Sequence, residues 1–141
     1  MYLKLSNILS VWILIKVQLC IVYKEMVDIM VHYLRLNKEP FDLIKSGAKT
    51  IEMRLYDEKR QQIKVGDNIV FSLRENEEVK ISTKVVSLSI FKSFEELYSN
   101  FDKRVLGYRE NESARYTDME EFYSKEEQSM YGVVAIGVEV C

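Results

Sequence analysis

The chain has 141 residues, 48% of them hydrophobic and 30% charged, with a formal net charge of −2; that is about one domain, with enough apolar content to bury a core without staples. No disordered tail or low-complexity tract stands out, which excludes linker-like and fibrous classes. Cys20 and Cys141 sit at opposite ends and His32 is the single histidine, so neither a disulfide framework nor a zinc or haem site is supported, no cofactor is expected, and a reducing cytoplasm fits best.

Residues 1–30 differ from the rest. Ile8 to Tyr23 is an apolar run broken by Lys16 and Gln18, too short and too interrupted for a membrane span. Lys4 supplies a weak positive start for a secretory signal, but no small-x-small cleavage site follows. The favoured expectation is a natural start at Met26 or Met30, with a membrane anchor or an added helix packed on the domain as alternatives; residues 31–141 are expected to form the domain itself.

Val31 onward reads as strands with helical inserts. His32 to Leu36 is the first strand. Pro40 to Ser46 is a short helix, with Pro40 at its first position and Gly47 as the left-handed residue that ends it. Thr50 to Tyr56 alternates as a strand, which puts Thr50, Glu52, Arg54 and Tyr56 on one face and Ile51, Met53 and Leu55 on the core face. Asp57 to Lys64 is a charged loop, and Val65-Gly66-Asp67 a turn that launches a strand at Asn68 to Leu73. Glu75 to Glu78 connects it as a hairpin to a long strand, Val79 to Ile90.

Three capping boxes follow, Ser93-x-x-Glu96, Thr117-x-x-Glu120 and Ser124-x-x-Glu127, which start helices near Phe94, Asp118 and Lys125. Phe94, Leu97, Tyr98 and Phe101 recur at helical spacing, a stripe more often core than a base-stacking platform. The insert Leu106 to Tyr116, with Tyr108, Arg109, Arg115 and Tyr116, reads as a mobile surface loop rather than a lid over a site. Val133 to Val140 closes the sheet, with Gly132 at a turn and Gly137 at a bulge or close approach. Without regular βαβ spacing, this order favours a mixed α/β (α+β) barrel over a doubly wound sheet.

Chemistry concentrates in Gly47-Ala48-Lys49-Thr50-Ile51-Glu52-Met53-Arg54. Lys49 precedes the strand, where the turn can swing its amine over the face that carries Glu52 and Arg54. Arg54 offers a planar fork to phosphate or a base edge, and Lys49 a point charge. Glu52 between two cations suits a hydrogen-bond acceptor for an exocyclic amine better than a strong general base. A bare structural pair of Glu52 and Arg54 is the competing reading. Tyr56 shares their face as a stacking candidate, and Lys59, Arg60 and Lys64 are candidates for phosphate contacts, although such residues are more often packing or solvated loop. His32 to Val85 carries eleven basic and nine acidic residues, Val86 to Cys141 six and eleven. The half that holds the candidate site is therefore the basic half, weak support for an anionic ligand.

Gly47, Lys49, Glu52 and Arg54 match the G-x-K-x-x-E-x-R signature of the ASCH domain, and from about Val31 to Val140 the chain resembles that family of small PUA-like β-barrels, with the run from Arg54 to Asp67 similar to bacterial members. The resemblance implies binding of RNA, single-stranded or short and structured, or of a modified nucleoside, through Lys49, Glu52 and Arg54, without DNA specificity or a membrane partner. It also implies an alternative. Some small bacterial members are amidohydrolases of N4-acetylcytidine that use a lysine, a threonine nucleophile and a glutamate, and others cleave RNA. The lysine falls on Lys49, but Glu52 stands where the threonine would be, and Thr50 is two residues off along the strand, about 6–7 Å away. For RNA cleavage, Lys49 and Glu52 would serve as acid and base. A protein-interaction module is the third class, given the acidic C-terminal half.

Overall fold

The computed structural model describes residues 3–141; in its first helix the side chains of residues 3–6 and 24–27, including Lys4 and Met26, lie outside the described set. The chain divides into two compact units, Met1–Met30 and Val31–Cys141. The first is a single helix, α1 (Leu3–Val27), whose apolar residues run round the helix instead of forming one stripe. Among the described residues no helix is long and apolar enough to cross a membrane.

The second unit is a mixed α/β half-barrel of the PUA-like type. Its elements are β1 (Val31–Leu36), α2 (Lys38–Ser46), β2 (Ile51–Leu55), β3 (Asn68–Leu73), β4 (Asn76–Phe91), α3 (Phe94–Asn100), α4 (Lys125–Tyr131) and β5 (Val133–Val140), with 3-10 turns at Arg60–Gln62 and Tyr116–Glu121. The five strands lie in the order β1-β3-β4-β5-β2, so β1 and β2 are the two edges. β1 runs parallel to β3, and the other pairs are antiparallel.

The hydrophobic pattern of β5 explains the layering. Val134, Ile136 and Val138 enter one core cluster with Leu34, Phe41, Ile69 and Phe71, while Val133 and Ala135 enter a second with Ile51, Met53, Leu55, Phe94 and Leu97. Successive residues point to opposite faces, so a strand apolar at every position is covered on both sides. The stripe Phe94, Leu97, Tyr98 and Phe101 belongs to that second cluster; it is core.

Several boundaries differ from expectation. α2 begins at Lys38, so Pro40 is its third residue, still where its missing N–H costs nothing. The β3–β4 connection is the two-residue turn Arg74-Glu75, because Leu73 pairs directly with Asn76 after a register shift. Ser124 and Glu127 form a complete capping box. Ser93 caps Glu96, but the Glu96 carboxylate accepts from the Lys92 N–H instead of closing the box. Thr117 caps nothing: the 3-10 helix starts two residues earlier than the box predicts, at Tyr116 with Arg115 as its cap, where Tyr116 packs against the second core cluster.

Gly47 takes the expected left-handed turn (φ 82°), and its N–H donates to Ile44. Gly137 is a close approach. Beside it β4 shifts register between Val85 and Ser87, and a Cβ on Gly137 would run into the Ser87 hydroxyl, with the Ser87 Cβ and backbone N also tight. Gly137→Ala is therefore expected to cost about 1–3 kcal/mol in urea unfolding of the full chain, and adding Ser87→Ala to recover part of that loss. Equal stability of Gly137→Ala and the parent would contradict this packing.

Candidate functional site

Lys49 is held from three sides. The α2 cap turns the chain so that the Lys49 N–H donates to the Leu43 carbonyl (3.0 Å), and the next two amides, of Thr50 and Ile51, both donate to Val105 (3.1 and 3.0 Å). Gly107, at φ 104°, lies against the Lys49 side chain so closely that a Cβ there would sit 3.0 Å from Lys49 Cδ. The insert after α3 thus clamps the stem of the lysine. It is a wall of the site and not the free surface loop that its charge suggested: the Tyr98 and Tyr108 hydroxyls are 2.8 Å apart, and Tyr108 donates to Asp118 at 2.9 Å.

Lys49 and Glu52 are both buried, at 7% and 5% exposure, where charged groups are rarely found unless paired. Lys49 Nζ lies 3.8 Å from Glu52 Oε1, and Arg54 Nη2 3.9 Å from Glu52 Oε2. Both are ionic distances too long for hydrogen bonds. Glu52 Oε1 accepts from the Met53 N–H at 2.7 Å, and Oε2 is buried with no hydrogen-bond partner among the described residues. Arg54 Nη2 instead donates to the Arg35 carbonyl at 2.9 Å. A structural ion pair closes its hydrogen bonds; this one leaves an oxygen open.

These residues line a hollow of about 170 Å³ with Arg35 and Arg74 on its rim. The hollow shares Lys49, Met53 and Phe122 with a wider cavity of about 670 Å³ lined by Leu43, Tyr98, Tyr108 and Asp118, a size that suits a small organic ligand. Of the residues singled out in the sequence, Lys49, Glu52 and Arg54 come together here, and Tyr56, Lys59 and Arg60 do not line either space. Tyr56 packs against the first core cluster. Lys59 reaches the Tyr33 carbonyl at 3.4 Å, and Arg60 folds back on Asp57 at 2.8 Å. Thr50 lies before β2 and lines a separate recess beside Lys45 and Val138. Among the described residues, no serine, threonine or cysteine lines the hollow around Glu52.

The sequence reading missed Arg35, Arg74 and the Tyr98–Tyr108–Asp118 chain. Alternation along β1 puts Arg35 on the face opposite Leu34 and Leu36 but says nothing of its neighbours, and hydroxyl partners far apart in sequence leave no local signal.

Burial first, then the hydrogen bond and charge of Tyr98 and those of Asp118, push the Tyr108 phenol above its usual value of 10.0. A raised phenol binds its proton more tightly in the folded chain, so its contribution is complete below the unfolded value and is lost as pH climbs from there towards the folded one. Tyr108→Phe is expected to cost about 0.5–1.5 kcal/mol at neutral pH and to flatten the loss of stability above pH 10.0, read from thermal melts across pH. The buried charges carry a second expectation. Glu52→Met alone leaves Lys49 without its partner and should cost about 3–5 kcal/mol, whereas Lys49→Met with Glu52→Met should be neutral or up to about 4 kcal/mol more stable in denaturant titration. A destabilised double variant would mean that the pair holds the fold.

No curated protein matches the chain. Among solved structures, the hypothetical protein PH0355 is 34% identical over 79% of this chain and all of its own, with a TM-score of 0.67. PF0455 from Pyrococcus furiosus, solved by NMR, is also 34% identical, over 79% of this chain and 97% of its own, with a TM-score of 0.57. A mutant of ZmASCH from Zymomonas mobilis shares the fold at 18% identity, covering 79% of this chain and 69% of its own, with a TM-score of 0.57. The family model for the ASCH domain matches residues 34–141, and with the Gly47–Arg54 signature in place, the chain belongs to the ASCH domain family.

Proposed function

We propose that residues 31–141 bind RNA, or a modified nucleoside derived from it, by presenting the Lys49, Glu52 and Arg54 side chains to a base edge at the mouth of the half-barrel. The observation that carries this reading is the orphaned Glu52 Oε2. A buried carboxylate oxygen without a donor costs free energy unless something supplies an N–H, and the amino or imino group of a nucleobase is such a donor. Lys49 Nζ, whose one partner among the described residues is Glu52 at 3.8 Å, is placed to donate to the ring nitrogen or carbonyl beside it. Donor and acceptor side by side on the protein complement the acceptor and donor side by side on a base. The cytoplasm is the compartment this reading implies, since RNA and its turnover products are met there.

Hydrolysis by the same residues is the alternative. It has less support, because among the described residues the hollow holds no serine, threonine or cysteine to attack an acyl group. The test incubates the full chain with short single-stranded RNA and, separately, with N4-acetylcytidine, followed by mass spectrometry and by equilibrium binding at moderate salt. Expected is intact ligand, with affinity falling at least about tenfold in Lys49→Ala and Glu52→Gln, the scale of one charge-assisted hydrogen bond. Product that both substitutions abolish would replace the binding reading with the enzymatic one. Neither product nor binding would remove both.

A further inference from the structure

Three arginines that are distant in sequence meet around one short piece of backbone, Arg35-Leu36-Asn37 at the end of β1. Arg35 is part of it. Arg54 reaches across from β2 and donates to the Arg35 carbonyl at 2.9 Å. Arg74, in the β3–β4 turn, donates its backbone N–H to the Leu36 carbonyl at 2.8 Å and its Nε to Asn37 Oδ1 at 3.1 Å. All three line the hollow that Glu52 floors, with Lys49, and Glu52 is the sole carboxylate among the lining residues.

These guanidinia keep donors to spare. Among the described residues Arg74 pairs with no carboxylate, and its two terminal nitrogens have no recorded acceptor. Arg35 is paired only by Nη1, at 3.1 Å, to the Glu77 carboxylate; both side chains are exposed, at 59% and 62%, so the pair is worth little and is easily exchanged. Arg54 stands 3.9 Å from Glu52, without a hydrogen bond to it. Four cations against Glu52 inside the hollow and the exposed Glu77 outside it, with guanidinium donors left over on Arg35 and Arg74, is the chemistry of a phosphate site.

We infer that Arg35 and Arg74, with Arg54, form a phosphate subsite next to the base-reading pair, so that the preferred ligand is a nucleotide, free or within a strand, and not an unphosphorylated nucleoside. The inference rests on the reading of Lys49 and Glu52 given above and narrows it. Arg35 and Arg74 contact the phosphate oxygens; Glu52 and Lys49 read the base.

The test measures binding of the four ribonucleosides, of their 5′- and 3′-monophosphates and of inorganic phosphate to the full chain by calorimetry. At least one monophosphate is expected to bind ten or more times tighter than its nucleoside, with the ratio shrinking as salt rises. The ratio should fall towards one in Arg35→Gln/Arg74→Gln, and substantially in Arg74→Lys, which keeps the charge but loses the fork. Circular dichroism and thermal melts identify any variant that fails to fold, and the Arg74→Lys chain, which keeps the backbone bond to Leu36, then carries the comparison. Nucleoside and monophosphate of equal affinity, or a preference that survives the arginine substitutions, would overturn the subsite and leave the base-reading proposal standing. Monophosphates that bind no tighter than inorganic phosphate, with arginine dependence intact, would keep the anion site and sink the base reading. Binding of none of the probes would overturn both.

Discussion

At the candidate site the two edges of the sheet are joined by a side chain. The sheet runs β1-β3-β4-β5-β2, and at the ends of that order β1 and β2 present strand edges whose polar backbone groups have no ladder partner on their outer side. Between them the contact is made by a side chain: the Arg54 guanidinium donates to the Arg35 carbonyl. Lys59 does the same more loosely for the Tyr33 carbonyl. The seam of the half-barrel is thus spanned by long cationic side chains and not by a ladder. The candidate site lies along that seam, with Arg54 belonging to both.

The rest of the unit makes the seam a fixed place. β5 is apolar on both faces and pairs with both β4 and β2, so β2 is anchored along its whole length from one side. From the other, the insert after α3 supplies the Val105 carbonyl to the first amides of the strand and lays Gly107 on the Lys49 side chain. Its own shape is kept by the Tyr98–Tyr108–Asp118 hydroxyl chain. With backbone and stem both fixed, Lys49 loses little further freedom when it meets a ligand, which is the economy that preorganised sites exploit.

Much of this was legible in the sequence, for a physical reason that also marks where reading stops. Gly47, Lys49, Glu52 and Arg54 lie within eight residues, so helix-stop chemistry and strand alternation suffice to bring them together. Gly132 and Gly137 declared a turn and a close approach in the same local way. Arg35 and Arg74 are neighbours only because β1 pairs in parallel with β3, a non-local choice that strand periodicity does not encode. Tyr56, Lys59 and Arg60 are the opposite case, close in sequence but lining neither space. They follow the signature closely in sequence, but the strand ends at Leu55, after which Tyr56 turns to the core and the two cations find acceptors on Tyr33 and Asp57. The Thr117 box matched a pattern that Tyr116 overrode by packing into the core.

Glu52 is left unbalanced among the described residues, as is Arg60 Nε, which lines neither space of the site. The Glu52 carboxylate is buried, one oxygen is satisfied by the neighbouring Met53 N–H, and the other faces cations that stop short of a hydrogen bond. Moving Arg54 closer to satisfy it would take the guanidinium from the Arg35 carbonyl and open the seam. Moving Lys49 closer would pull its stem from under Gly107. Neither compensation is available without loss elsewhere, which leaves that oxygen open among the described residues. On the reading proposed above a ligand N–H would supply the donor, and Arg35 and Arg74 on the rim would favour a solute that also carries negative charge. A nucleotide, the ligand proposed above, would bring both a base N–H and a phosphate to one small hollow.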